Sequence, residues 1–185
     1  MIDLPTWLNA WLATLPSRID SDGAAMSVAI EACRRNIDEE TGGPFGAVVV
    51  DRAAQTILAV GVNLVVRNRA SILHAEIVAL TLAQQRLGSD NLALNGRSVT
   101  LYTSAEPCAM CLGAIPWSGI NRLVYAATDA DIRAIGFDEG DKPDAWADHY
   151  RRRGIEVVHG VMREEAVALL QRYRKEGGAI YGHTA

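Results

Sequence analysis

Residues 99–126 read VTLYTSAEPCAMCLGAIPWSGINRLVYA. Val99 to Tyr102 is a β-type run, the stretch from about Cys108 to Trp117 has helical spacing, and Arg122 to Ala126 returns to strand. On the N-terminal side, Phe45 to Val50 and Thr56 to Val62 are short apolar runs joined by the polar Asp51-Arg52-Ala53-Ala54-Gln55, which predicts a hairpin. Asn63 to Leu73 lacks periodicity and predicts a loop. Ala75 to Leu87 predicts a helix, with Ile77, Leu80, Leu82 and Ala83 mostly inward and Gly88 as its C-cap. Upstream, Met26, Ala29, Ile30 and Cys33 share one face of a helix from about Asp22 to Glu39, stopped by Thr41-Gly42-Gly43-Pro44. Downstream, a loop rich in Asp and Gly leads to a helix near Lys142 to Arg152, a strand near Ile155 to Val158 and a helix from Arg163 to Arg174. A hairpin followed by strand-helix alternation predicts one α/β domain over residues 1–185, with a mixed sheet sandwiched between helices.

The bulk numbers narrow the class. A chain of 185 residues, nearly half hydrophobic, supports one sizeable core. Its net charge of -4 gives no electrostatic reason to expect a nucleic-acid partner. Three cysteines, two of them in Cys108-Ala109-Met110-Cys111, do not make a disulfide framework and read as reduced thiols with a metal. No apolar run is long enough to span a bilayer, and no basic region precedes the first apolar stretch. Those features predict a cytoplasmic protein with no membrane partner. Within residues 1–20, Leu4, Trp7, Leu8, Trp11, Leu12 and Leu15 form a helical stripe, expected to lie on the domain or on a second subunit.

Two short motifs carry the chemistry. His74-Ala75-Glu76 falls where a loop enters a helix, and Pro107-Cys108-Ala109-Met110-Cys111 falls where a strand-loop enters another. Zinc favours nitrogen and sulfur donors, and a catalytic site uses three protein ligands with one position left open for water. His74, Cys108 and Cys111 are therefore the expected ligands of one Zn²⁺ per subunit. Glu76 is the carboxylate expected to move protons beside it. A structural zinc normally takes a fourth Cys or His, and Cys33 lies far from any ligand spacing, so it reads as a small buried apolar residue. His149, His159 and His183 read as surface or strand-end side chains, and Arg151-Arg152-Arg153 as a solvated cluster at a helix end.

In this order the two motifs form the H-x-E…P-C-x-x-C signature of zinc nucleobase deaminases. From Gly42 to Gly140 the chain resembles the cytidine deaminase-like superfamily and, more narrowly, its bacterial guanine deaminases. The likeness lies in Gly43-Pro44-Phe45-Gly46-Ala47, Gly61-Val62-Asn63, His74-Ala75-Glu76, the run from Tyr102 to Ile115, and Ile135-Gly136-Phe137-Asp138-Glu139-Gly140. It implies a three-layer α/β/α cytidine deaminase-like fold and hydrolytic deamination of guanine to xanthine and ammonia by a zinc-activated hydroxide. It also implies roles for particular residues. Phe45 would stack on the base opposite His74, Asn63 would read the base edge through the donor-acceptor pair of its amide, Trp117 would form a pocket wall, and Phe137 would close over the base. Asp138 and Glu139 compete as a second proton carrier, and the family pattern favours Glu139. The resemblance further implies a homodimer whose C-terminal segments (residues 176–185) are exchanged, with Tyr181 covering the neighbour's pocket.

Other substrates remain in play. Guanosine and the aminotriazine ammeline offer an edge like that of guanine, cytosine lacks support in the GFDE loop, and tRNA adenosine fits poorly with an acidic chain. A non-catalytic zinc-binding module is a different class, and it has no need of a carboxylate at the position of Glu76.

Overall fold

The computed structural model describes residues 2–182. In chain order the elements are Thr6–Leu12 (α1), Asp22–Asp38 (α2), Gly46–Asp51 (β1), Thr56–Val62 (β2), Val65–Asn68 (α3), Ala75–Leu87 (α4), Val99–Ala105 (β3), Ala109–Ala114 (α5), Arg122–Ala127 (β4), Asp129–Ala134 (α6), Trp146–Arg152 (α7), Glu156–His159 (β5) and Arg163–Lys175 (α8). β1 pairs antiparallel with β2 and with β3, whereas β3–β4 and β4–β5 are parallel. The resulting mixed sheet has the order β2-β1-β3-β4-β5. Each parallel step needs a crossover, which α5 supplies for the first and α6 with α7 for the second.

Alternation along the strands builds two cores. Val48, Val50, Val60, Val62 and Val124 pack with Met26, Ala29 and Ile30 of α2 and Leu170 of α8. Their neighbours Ala47, Val49, Leu101 and Leu123 turn to the opposite face, against Ala75, Ala79 and Ala83 of α4 and Leu112 of α5. A sheet covered on both faces needs apolar residues at successive positions, which is why β1 reads as a continuous run instead of an alternating one. This is the expected α/β/α sandwich.

Several boundaries differ from the sequence reading. α5 lasts six residues, and Ile115–Ser118 continues as a 3₁₀ turn around Pro116. α7 begins at Trp146 and not near Lys142, because a residue before a proline (here Pro143) is disfavoured in the helical region. α6 lies inside the stretch expected to be loop. It is started by a reciprocal capping box, in which Thr128 N donates to Asp131 Oδ2 at 2.8 Å. The N-terminal stripe forms only the short α1, which lies on this chain's own core. Leu8 and Trp11 are buried, Trp7 Nε1 donates to Thr41 Oγ1 at 3.1 Å, and the Arg35 guanidinium sits 5.3 Å from the Trp11 ring. Among the described residues, no helix is long and apolar enough to cross a membrane.

A polar latch ties the start of α2 to the sheet. Arg122 of β4 gives two hydrogen bonds to Asp22, at 2.6 and 2.8 Å, and Tyr102 of β3 donates to the same carboxylate at 2.8 Å. The Arg122 hydrogen bonds hold the Asp22 carboxyl below its ordinary value of 3.8 against the opposing effect of burial. Asp22→Asn should therefore cost about 1–3 kcal/mol, read as a lower urea midpoint with an unchanged slope. A depressed carboxyl contributes stability above its unfolded pKa and loses it as the pH falls toward the folded one. The penalty should thus be full near pH 6 and should shrink below about pH 4.

Candidate metal centre and cleft

Gly61 of β2 lets α4 lie hard against the sheet, since a Cβ there would run into the Ala75 carbonyl and the Ala79 amide. That contact fixes where α4 begins. Its N-cap is His74, and the N-cap of α5 is Cys108; neither side chain caps its own helix, so both are free to point elsewhere. They point at each other. His74 Nδ1 lies 3.4 Å from Cys108 Sγ and 3.7 Å from Cys111 Sγ, and the three donor atoms all fall within 4.8 Å of one another. Tetrahedral zinc with its usual bond lengths holds a nitrogen and a sulfur donor about 3.5 Å apart, so the donor set fits that ion. A hydrogen bond from Cys111 pulls Cys108 down to about 4, with His74 assisting, which favours the thiolate form that a zinc ligand takes.

Glu76, in the first turn of α4, is buried beside this cluster. Burial, then the Cys108 thiolate, push its carboxyl up to about 7, while His74 opposes them. Glu139 is only 6% exposed and lines the same cleft from the loop after α6. Burial pushes it up to about 8, opposed first by Lys142. Two carboxyls poised near neutrality can each give or take a proton at working pH. Asp138 also borders the cleft, but its side chain is 58% exposed and serves its own turn, accepting from Gly140 N at 2.9 Å. The structure thus separates the two acids that the sequence left in competition.

The cleft encloses about 580 Å³. Phe45 and Phe137 meet edge to face at 5.1 Å, and Phe137 meets Tyr181 in the same manner at 5.0 Å, giving an aromatic wall. Asn63 Oδ1 accepts from Val65 N at 3.2 Å, and Asn63 Nδ2 is buried without a partner among the described residues. Tyr181 Oη is likewise buried, with no partner among the described residues. Both residues line the cleft.

Of the residues singled out from the sequence, His74, Glu76, Cys108, Cys111, Phe45, Asn63, Phe137, Glu139 and Tyr181 come together. Trp117 does not. It is 80% exposed on the 3₁₀ turn, where Ile115 points inward and Trp117 outward, and it borders a different hollow with Pro116, Pro143 and Trp146. Tyr181 lines the cleft beside the GFDE loop. Cys33 is buried and pushed up to about 12 by burial, as an inert packing residue would be. His149 and Arg151-Arg152-Arg153 are exposed, and His183 lies outside the described residues. Sequence reading missed Lys142, whose buried ammonium lies among Glu106, Asp129 and Glu139. A lysine beside a proline in an acidic loop carries no signal of burial.

A three-donor metal site with a buried carboxylate at its side is the apparatus of a zinc hydrolase. Residues 19–127 match the family model for the cytidine and deoxycytidylate deaminase zinc-binding region, and the chain belongs to that family. It is similar to the solved guanine deaminase of Nitrosomonas europaea at 43% identity and a TM-score of 0.88, covering 95% of this chain and 96% of that one. It is 40% identical over 125 residues to the guanine deaminase of Bacillus subtilis, covering 64% of this chain and 74% of that protein. The tRNA-specific adenosine deaminase of Haemophilus influenzae is 38% identical over 130 residues, covering 70% of each.

Replacing His74, Cys108 or Cys111 by Ala should remove most of the zinc from the purified protein, measured by elemental analysis, whereas Cys33→Ala should retain it. Zinc content unchanged in all three ligand variants would contradict the assignment.

Proposed function

We propose that this protein hydrolyses guanine to xanthine and ammonia with one zinc ion per subunit. The observation that carries the reading is a second buried carboxylate, Glu139, in the cleft that already holds Glu76. Deamination moves protons at two places, a ring nitrogen and the departing amine, and a second acid relieves the first. The near full-length similarity to the Nitrosomonas europaea guanine deaminase supports the same substrate.

When bound, zinc acts as a Lewis acid that makes a water nucleophilic near neutral pH. Glu76 takes the proton from the attacking water and delivers it to the ring nitrogen beside C2. Glu139 protonates the amine as it departs. Phe45 and the His74 imidazole sandwich the base, and Phe137 with Tyr181 covers it and excludes water. Asn63 Nδ2 and Tyr181 Oη, both buried without partners among the described residues, are donors for acceptor atoms on a polar planar ligand. The surface charge of -4 disfavours a tRNA substrate. The further parts of the reading are a cytoplasmic setting, consistent with free cysteines, and a homodimer with exchanged C-terminal segments, so that each Tyr181 covers the neighbour's cleft.

The test is ammonia release from free bases, nucleosides, aminotriazines and tRNA by the zinc-loaded enzyme. Guanine should be the preferred substrate, with xanthine as product. Turnover of cytosine alone, or of tRNA adenosine alone, would contradict the reading. Glu139→Gln should lower kcat by about a hundredfold or more while zinc stays bound, and near-normal turnover would remove Glu139 from the mechanism.

A further inference from the structure

Lys142 is an unusual lysine. Its side chain is only 9% exposed, yet it lies on a loop. Its Nζ sits 2.7 Å from Asp129 Oδ1, 3.2 Å from Glu106 Oε1 and 3.5 Å from Glu139 Oε2. An ammonium carries three donors on one compact centre, and three carboxylates converge on it. Two of the three are fixed by other contacts. Glu106 accepts from Trp146 Nε1 at 3.2 Å and from Asp129 N at 3.1 Å, and it stands two residues before the ligand Cys108. Asp129 is held by Arg133 at 2.7 Å. Glu139 is not anchored in this way. Among the described residues, Lys142 is the one ion-pair partner of its carboxylate.

We propose that Lys142 is a positioning residue for Glu139, tying its carboxylate to the rigid platform of Glu106 and Asp129 and so fixing the second acid relative to the metal ligands. The inference deepens the reading of Glu139 as a proton carrier and rests on it. The need for an anchor is physical. A buried carboxylate without its counter-charge loses its main electrostatic stabilisation, and it relieves the penalty by turning toward water. That response withdraws it from the point where a proton must be delivered, and a displacement of about 1 Å is enough to slow catalysis a hundredfold. The three cleft-side neighbours Phe137, Asp138 and Gly140 offer no replacement cation. The Arg133 guanidinium of α6 is occupied by Asp129, Asp138 and the Gly140 carbonyl.

The experiment compares Lys142→Met, Lys142→Gln, Lys142→Arg, Glu139→Gln and the Lys142→Met/Glu139→Gln pair in zinc-loaded enzyme. The substrate is guanine or whichever amine of the panel is turned over, and a crystal structure of Lys142→Met accompanies the kinetics. The expectation is a tenfold to hundredfold or so loss of kcat in Lys142→Met, with KM changed by less than about threefold and zinc retained. Lys142→Arg should recover part of that loss. In the Glu139→Gln background, Lys142→Met should cost less than about twofold more, because the residue it positions is already gone. In the crystal structure the Glu139 carboxylate should have moved from its place in the cleft.

Normal kcat in Lys142→Met overturns the proposal. So does a full additional loss in the double variant, which would mean a purely structural role. If Lys142→Met does not fold, Lys142→Gln, which keeps length and a donor, takes its place in both the kinetics and the structure. Should Glu139→Gln retain normal turnover, or no amine be deaminated, the reading of Glu139 fails by itself. The crystal structure then still decides the placement, and an unmoved Glu139 carboxylate overturns it.

Discussion

Everything in the cleft depends on two helices being made to start at nearly the same point. α4 and α5 come from distant parts of the chain, and their N-caps, His74 and Cys108, must approach within bonding reach of one ion. Helix starts expose unpaired amide hydrogens and the positive end of the peptide dipoles, which favours thiolate and carboxylate at both sites. The sheet sets the distance. Gly61 brings α4 down onto β2, and β3 delivers Cys108 from its end; a bulkier residue at Gly61 would lift the histidine from its partners. The metal site is therefore a product of backbone packing before it is a product of ligand chemistry.

A second constraint is the amount of charge gathered near that point. Glu76, Glu106 and Glu139 line the same cleft, and Lys142 joins Glu106 and Glu139 to the half-buried Asp129. Taking carboxylates out of water is unfavourable unless each finds a partner or a proton. The protein uses both solutions. Glu106 and Asp129 are held ionically and by hydrogen bonds, while Glu76 and Glu139 have their carboxyls raised toward neutrality. Groups that are hard to keep charged are the ones able to trade protons.

Much of this was legible in the residue order. The strands, the hairpin and the longer helices follow from runs of apolar residues, and the HxE and PCxxC motifs fix the donor set because the chemistry needs those atoms at those spacings. What escaped was carried by weaker or longer-range signals. α6 has only six residues, and its Thr128–Asp131 capping box was hidden in a stretch whose Asp and Gly content reads as loop. The family resemblance puts Trp117 at a pocket wall, but a 3₁₀ turn at Pro116 leaves it on the surface. That Glu139 is buried while Asp138 closes its own turn, and that Lys142 packs among carboxylates far apart in sequence, could not be read from the residue order. Neither has a local signature.

The amide of Asn63 has one further implication. Its oxygen accepts from the neighbouring Val65 backbone, so in the role proposed for it the group would offer an incoming ring its hydrogens, and not the donor-acceptor pair expected from the sequence. Such a reader is one-directional: it senses lone pairs and is blind to shape. A ring atom that bears a hydrogen at that point would leave two donors confronting each other out of water, at a cost of about 1–3 kcal/mol. Tautomer and protonation state, more than size, would then decide which heterocycles this cleft accepts.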